Sequence, residues 1–294
     1  MSAFIRYARL AAMAGLIGLA GCGSTSAGSP GGAQSPTPAA TAPSATSPGP
    51  STAAPEPTGA PSVQPSGPRR TCSQAGTYLT AVRTGEHSGY DRVVFQFSGT
   101  LPGYTAGRVP AVSSDPKGTP VPLAGQSYLR VVFLGTSAVC PTPLHRTYSG
   151  PAVLTPYYPE LLTVSAAGDF EGVLSFGIGL AAQGGYHVIT LTSPARLVID
   201  VSHVALGKFP GIWDITSWPR YWATQYAWLN GHQPWLSSPS SVVQVWAGGY
   251  DSASVVRQVS ANTFKVTMPD GKTFTVTGVR PVSVPGPWVI TSIT

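Results

Sequence analysis

Between Tyr78 and Val201 the apolar residues come in short runs rich in β-branched and aromatic side chains, and glycine, proline or polar turn formers fill almost every gap. Helical spacing is nearly absent from this stretch, which leaves strands as the way to bury its apolar side chains. The runs are Tyr78 to Arg83, Arg92 to Phe97, Arg108 to Val112, Tyr128 to Leu134, Leu161 to Ser165, Gly172 to Ile178, Tyr186 to Leu191 and Leu197 to Val201. Short strands at such intervals predict an all-β sandwich or barrel over residues 71–208. In one run Val93, Phe95 and Phe97 alternate with Arg92, Val94 and Gln96. A strand sends the two sets to opposite faces, so one face is core and the other at least partly wet.

The pattern changes over residues 209–294. Trp218, Tyr221, Trp222, Tyr226 and Leu229 recur at helical spacing, with Ser217 as N-cap, Pro219 in the first turn and Gly231 as a stop. Ser238-Pro239 reads as the cap and first position of a second helix carrying Val242, Val243, Val245 and Trp246 up to Gly248-Gly249. Ser254 to Val259, Phe264 to Met268, Lys272 to Val279 and Trp288 to Ile293 read as strands, with Asp270-Gly271 as a type I′ hairpin turn. The fold class predicted for the whole is mainly β: a sandwich followed by a small α+β domain.

The N-terminal part is different again. Arg6 and Arg9 precede the uncharged run Leu10 to Ala20, which reads as an export signal over residues 1–21. That run is too short to span a bilayer, which needs about 20 apolar residues. Leu19-Ala20-Gly21-Cys22 resembles the lipobox of bacterial lipoproteins, which implies cleavage before Cys22 and lipidation of its thiol with diacylglycerol and acyl groups such as palmitate. An ordinary secretory signal with a cysteine at its cleavage site is the competing reading. Since each buried methylene contributes about 0.8 kcal/mol, two or three acyl chains hold a protein stably where one does not. From Gly23 to Arg70 there are 11 prolines in 48 residues, no aromatic side chain, and Val63 as the only branched aliphatic. Such a segment cannot bury enough apolar surface to offset its ordering entropy, so residues 22–70 are expected to be a disordered Pro/Ser/Ala/Thr tether. Its reach lies between about 40 Å as a coil and about 150 Å if extended.

Loss of Arg6 and Arg9 with the signal takes the formal charge from +6 to +4. The basic residues are scattered apart from Arg69-Arg70, which gives no nucleic-acid footprint. With Cys22 lipidated, Cys72 and Cys140 are left to pair in an oxidising compartment.

The run Val82 to Phe97 with Leu101-Pro102-Gly103-Tyr104, the segment Gly168 to Leu180, and the closing Ala195-Arg196-Leu197-Val198-Ile199-Asp200-Val201 resemble the AMIN-like domain of actinobacterial lipoproteins. The resemblance covers about residues 76–202. It implies a β-sandwich related to the non-catalytic targeting domain that accompanies cell-wall amidases and some secretin-type complexes, and hence an association with peptidoglycan. No amidase domain follows here. The element Asn230 to Pro239, with Gly231-His232-Gln233-Pro234-Trp235, resembles one in small C-terminal domains of actinobacterial lipoproteins.

Sugar rings present flat apolar faces, so aromatics beside charges are the chemistry to look for. The candidates are Tyr90, Asp91, Arg92, Arg130 and Glu171. Against them stand structural readings: Asp91 capping a turn, Arg92 and Glu171 forming an ion pair, Tyr90 packing at a rim. His87 reads as a loop histidine, and His232 with Trp235 as a structural corner or a pocket wall. Tyr157-Tyr158 could meet a partner or cover the sandwich edge. Asp169 and Glu171 are a weak carboxylate pair for glycoside cleavage. There is no Gly-x-Ser-x-Gly elbow, no His-Glu-x-x-His and no P-loop. No metal or cofactor is implied. The function expected is non-catalytic binding of peptidoglycan or an envelope protein by a membrane-anchored extracytoplasmic lipoprotein. A wall hydrolase or transferase with an unrecognised site, or a lipid or small-molecule carrier, are the alternatives.

Overall fold

In the computed structural model the eight expected runs become strands, joined by four shorter ones. The structure describes residues 72–294, so the export signal, the lipidation site Cys22 and the tether over 22–70 lie outside the described residues. The first strands are β1 (Thr77–His87), β2 (Tyr90–Ser98), β3 (Gly103–Val109) and β4 (Ser127–Leu134). Four short ones follow, β5 (Thr136–Ser137), β6 (Val139–Pro141), β7 (Leu144–Arg146) and β8 (Val153–Leu154). Then come β9 (Leu161–Phe170), β10 (Val173–Leu180), β11 (Tyr186–Thr192) and β12 (Ala195–Ser202). One sheet has the order β11-β12-β2-β1-β5 and the other β3-β4-β10-β9-β8; β6 and β7 form a separate hairpin.

The alternation in β2 does what its sequence dictates. Val93, Phe95 and Phe97 are buried against Leu129, Val131 and Phe133 of β4 and Leu174, Phe176 and Ile178 of β10. Phe133 meets Phe95 and Phe97 edge-on at 5.3 and 4.8 Å between ring centroids. Each such buried side chain contributes about 2 kcal/mol. The third strand runs over Gly103–Val109 rather than the expected 108–112. Pro110 has no N–H to give a ladder, so pairing with β4 is made by the residues before it. Cys72 and Cys140 are joined by a disulfide with Cα atoms 5.7 Å apart.

The sheet containing β10 is covered on its outer side too. The segment 110–126 lies across it, and Val112 and Leu123 form a small core with Ala167. This approach is close enough that a Cβ on Gly179 would overlap the Ala124 carbonyl oxygen. Glycine is therefore required there for space.

The C-terminal module comprises α1 (Trp218–Leu229), α2 (Pro239–Tyr250) and a meander of β13 (Val255–Gln258), β14 (Thr263–Thr267), β15 (Thr273–Val279) and β16 (Val289–Ile293). Ser217 and Ser238 cap the two helices, each accepting a backbone N–H three residues on. Helix α2 runs through Gly248-Gly249, where a stop was expected, and ends at Tyr250. Trp246 and Ala247, in the turn before the glycines, are buried in the module's core, and Trp246 meets Tyr250 edge-on at 5.4 Å between ring centroids. The β14–β15 turn is not type I′. Pro269 fixes a negative φ, and only Gly271 has a positive one (φ 86°), so the hairpin closes with a turn Met268 to Gly271 and a glycine bulge.

Tyr221, Trp222, Leu236, Val242, Val243, Trp246, Phe264 and Val266 form the core of this module, and Ala124, Leu162 and Ala181 of the sandwich belong to the same core. Among the described residues no helix is long and apolar enough to cross a membrane.

Candidate functional site

The composition of the outer face of the β11-β12-β2-β1 sheet follows from the strand alternation that sends Val93, Phe95 and Phe97 inward. The turn at Ser88-Gly89 pairs His87 with Tyr90 across β1 and β2. Their rings stack with centroids 4.6 Å apart and planes 10° from parallel. The next row across the sheet is Gly85, Arg92, Asp200 and His187. Arg92 gives Asp200 a two-pronged salt bridge, Nε to Oδ1 at 2.7 Å and Nη2 to Oδ2 at 2.8 Å, and its guanidinium lies 5.4 Å from the Tyr90 ring centroid. The hydrogen bond to Asp200 holds the Arg92 guanidinium above its ordinary pKa, against the opposing effect of burial. With no side chain at Gly85, one flank of Arg92 is left low. The result is a stacked aromatic platform beside a fixed charge pair, the arrangement by which a sugar face and its hydroxyls are held.

Asp91, next in sequence, points the other way and is buried. Its Oδ2 accepts the backbone N–H groups of Glu160 and Leu161, both at 2.8 Å, and its Oδ1 lies 2.8 Å from His203 Nε2. It thus ties the start of β2 to the start of β9 and the end of β12, and no external ligand reaches it. Glu160 is also fully buried. Its Oε1 accepts the Ala182 N–H at 3.0 Å, while Oε2 has no hydrogen-bond partner among the described residues. Burial pushes this carboxyl up from 4.5 to about 7, and the neighbouring Asp91 adds to the push.

Arg130 and Glu171 belong to the other sheet. Arg130 Nη2 pairs with Asp115 Oδ2 at 2.6 Å, and Ser175 Oγ donates to the same oxygen at 2.7 Å. Burial alone would raise the Asp115 carboxyl, but the two hydrogen bonds outweigh it and hold it below its ordinary value. Arg130 is in this way engaged in fastening the covering segment to β4 and β10. Glu171 sits exposed in the β9–β10 turn with φ 49°, beside the exposed Phe170. Arg92 and Glu171 do not form an ion pair, since the partner of Arg92 is Asp200. Asp169 accepts the Ser137 hydroxyl and the Ala138 N–H, which makes it a loop fastener.

Of the five candidates, Tyr90 and Arg92 therefore share one surface, Asp91 lies beneath it, and Arg130 and Glu171 are elsewhere. His87, Asp200 and His187 complete the surface without having been singled out for it. The alternation in Leu197 to Val201 puts Asp200 on the outer side, but its register with Arg92, 108 residues away, has no local signal. Tyr158 packs on the sandwich core and Tyr157 on the C-terminal core, so that loop covers an edge. His232 is exposed, whereas Trp235 packs into the C-terminal core. Among the described residues no group of three or more His, Cys, Asp or Glu side chains is placed to hold a metal ion.

Neither the curated proteins nor the solved structures give a match to this chain. The AMIN-like domain family model matches residues 77–203, from the first residue of β1 to one residue past β12. The sandwich that carries the His87, Tyr90, Arg92 and Asp200 surface is an AMIN-like domain.

Proposed function

We propose that this chain is a lipid-anchored, extracytoplasmic, non-catalytic protein whose AMIN-like domain binds peptidoglycan through the outer face of the β11-β12-β2-β1 sheet. An AMIN-like domain speaks for a role at the cell envelope. The observation that carries the finer reading is the His87–Tyr90 stack set beside the partly exposed Arg92–Asp200 pair. The export signal and the Leu19 to Cys22 lipobox support anchoring through Cys22. The space between the two sheets is occupied by Phe95, Phe97, Phe133 and Phe176, which favours binding on the surface over carriage of a lipid inside.

The test is retention on purified peptidoglycan sacculi, with release of labelled muropeptides followed in the same tubes. Retention without release is expected. Tyr90→Ala should lose most of it and Tyr90→Phe should keep it, because the ring does the work. No retention by the wild type would remove the glycan reading and leave a protein partner, while release of muropeptides would favour the hydrolase.

A further inference from the structure

The edge of a sheet leaves backbone N–H and C=O groups open to another strand, and folded proteins blunt such edges with short strands, prolines, charges, bulges or a covering group. Among the described residues, five of the six edges of the three larger sheets are blunted. Strands β5 and β8 have two residues each, and β13 has four with Arg257 among them. Strand β3 lies between Pro102 and Pro110, and the Tyr186 hydroxyl donates to its Ala106 carbonyl at 3.4 Å. Strand β16 gives its Ile290 carbonyl to the Ile212 N–H at 2.8 Å. The sixth edge, β11, has no such guard. Tyr186 to Thr192 include no Lys, Arg, Asp, Glu or Pro, and they pair with β12 without a bulge. Gly185 accepts the Ser202 N–H, so alternate residues from there bond to β12, while Tyr186, Val188, Thr190 and Thr192 turn their N–H and C=O groups outward.

What fits this edge follows from the rows that end at it. Val94, Val198 and Ile189 form one apolar row across the outer face of β2, β12 and β11, and the row stops at Ile189, which is 39% exposed. The rows on either side carry charge, Arg92-Asp200-His187 and Gln96-Arg196-Leu191. A two-fold axis normal to the sheet at Ile189 lays β11 antiparallel to its own copy. Val188 then pairs with Thr190 and Tyr186 with Thr192, and this centre alone uses all four outward residues. Across the seam the apolar row continues into its copy through two adjoining Ile189 side chains. The Asp200 row of one chain meets the Arg196 row of the other, so like charges do not face each other.

We infer that β11 pairs with the β11 of a second copy of this chain and joins the two sheets into one. This goes beyond the glycan reading and does not depend on it, although the two-fold axis sets both His87–Tyr90 stacks on the same side of the joined sheet. The full chain carrying Cys22→Ser, which keeps lipid out of the association, is followed by sedimentation equilibrium. A concentration-dependent dimer is expected. Ile189→Lys puts two ammonium groups at the axis, and Thr190→Pro removes an outward N–H without touching the β12 ladder. Each should raise the dissociation constant of the dimer about ten-fold or more. Circular dichroism and melting at low concentration check that both variants fold. Ile189→Cys should form a disulfide-linked dimer on mild oxidation because its copy lies directly opposite. Val255→Cys, on the exposed edge of the C-terminal sheet, should not. Tyr90→Ala should dimerise like the wild type. A wild type still monomeric at about 1 mM would leave the edge to a strand of another protein and overturn the inference. Undiminished dimerisation of a folded Ile189→Lys, or equal cross-linking through Val255→Cys, would overturn it as well.

Discussion

Gly125 and Gln225 hold each other by two hydrogen bonds between the sandwich and the C-terminal module. The Gly125 N–H donates to Gln225 Oε1 at 2.8 Å, and Gln225 Nε2 donates back to the Gly125 carbonyl at 3.2 Å and to the Pro285 carbonyl at 3.0 Å. Gln225 and Gly125 are both buried, so their paired groups are without water to fall back on. Replacing Gln225 with Leu removes the partner of the Gly125 N–H and of the Pro285 carbonyl, while the Gly125 carbonyl keeps the Tyr128 hydroxyl at 3.1 Å, for an expected loss of about 1–3 kcal/mol. All seven tryptophans lie between Trp213 and Trp288, which makes their fluorescence a probe of the C-terminal module alone. In urea unfolding of Gln225→Leu, fluorescence and far-ultraviolet circular dichroism should shift together. A shift in fluorescence alone would show that the two parts do not unfold as one.

Glu160 predicts an unusual pH profile. Its folded carboxyl titrates at about 7 against an ordinary 4.5, so between these values the folded state holds a proton that the unfolded chain has released. Stability from this group is complete below about pH 4.5 and is lost as pH rises through 7, by about 3 kcal/mol in all. Glu160→Gln removes the titration, so the melting temperature of the wild type should fall relative to this variant between about pH 5 and about pH 8. Parallel profiles for the two proteins would refute this account of the buried carboxyl.

Gly179→Ala should destabilise by about 3 kcal/mol or more, because the added methyl meets the Ala124 backbone rather than a side chain that can turn away. Thermal melts give the comparison, with Gly248→Ala as the control. A Cβ on Gly248 meets nothing, and its helical position should make that change neutral or stabilising.

Reduction of the Cys72–Cys140 bridge frees a loop of 68 residues, for which chain entropy gives a loss of roughly 4 kcal/mol. Melting with and without reductant measures it, and Cys140→Ser should reproduce the reduced value. A melting temperature insensitive to reductant would mean that the bridge constrains little of the unfolded chain.

What could be read from the residues was whatever repeats at short range. The alternation of Val93, Phe95 and Phe97 put these three into the core, and Ser217 and Ser238 marked both helix starts, because a pleat and a cap each depend on a handful of adjacent residues. The short strands β5 to β8 carry too few residues for any period to show. The candidate site was legible only in part for the same reason. Tyr90 and Arg92 were visible as an aromatic and a charge on the wet side of a strand, but Asp200 comes beside them through pairing of β2 with β12. Asp91 was misplaced as a surface group because its charge was given more weight than its place in the alternation, which puts it on the inward set with Val93, Phe95 and Phe97, facing the Glu160 and Leu161 N–H groups and His203.

The sharing of Ala124, Leu162 and Ala181 with the C-terminal core bears on how this protein can be handled. A chain cut after Lys208 would keep every strand of the sandwich yet bare an apolar patch on its flank, along with the unsatisfied amide of Gly125. Such a fragment should be sticky in solution, and work on the AMIN-like part alone will need polar replacements at those three positions to stay dispersed.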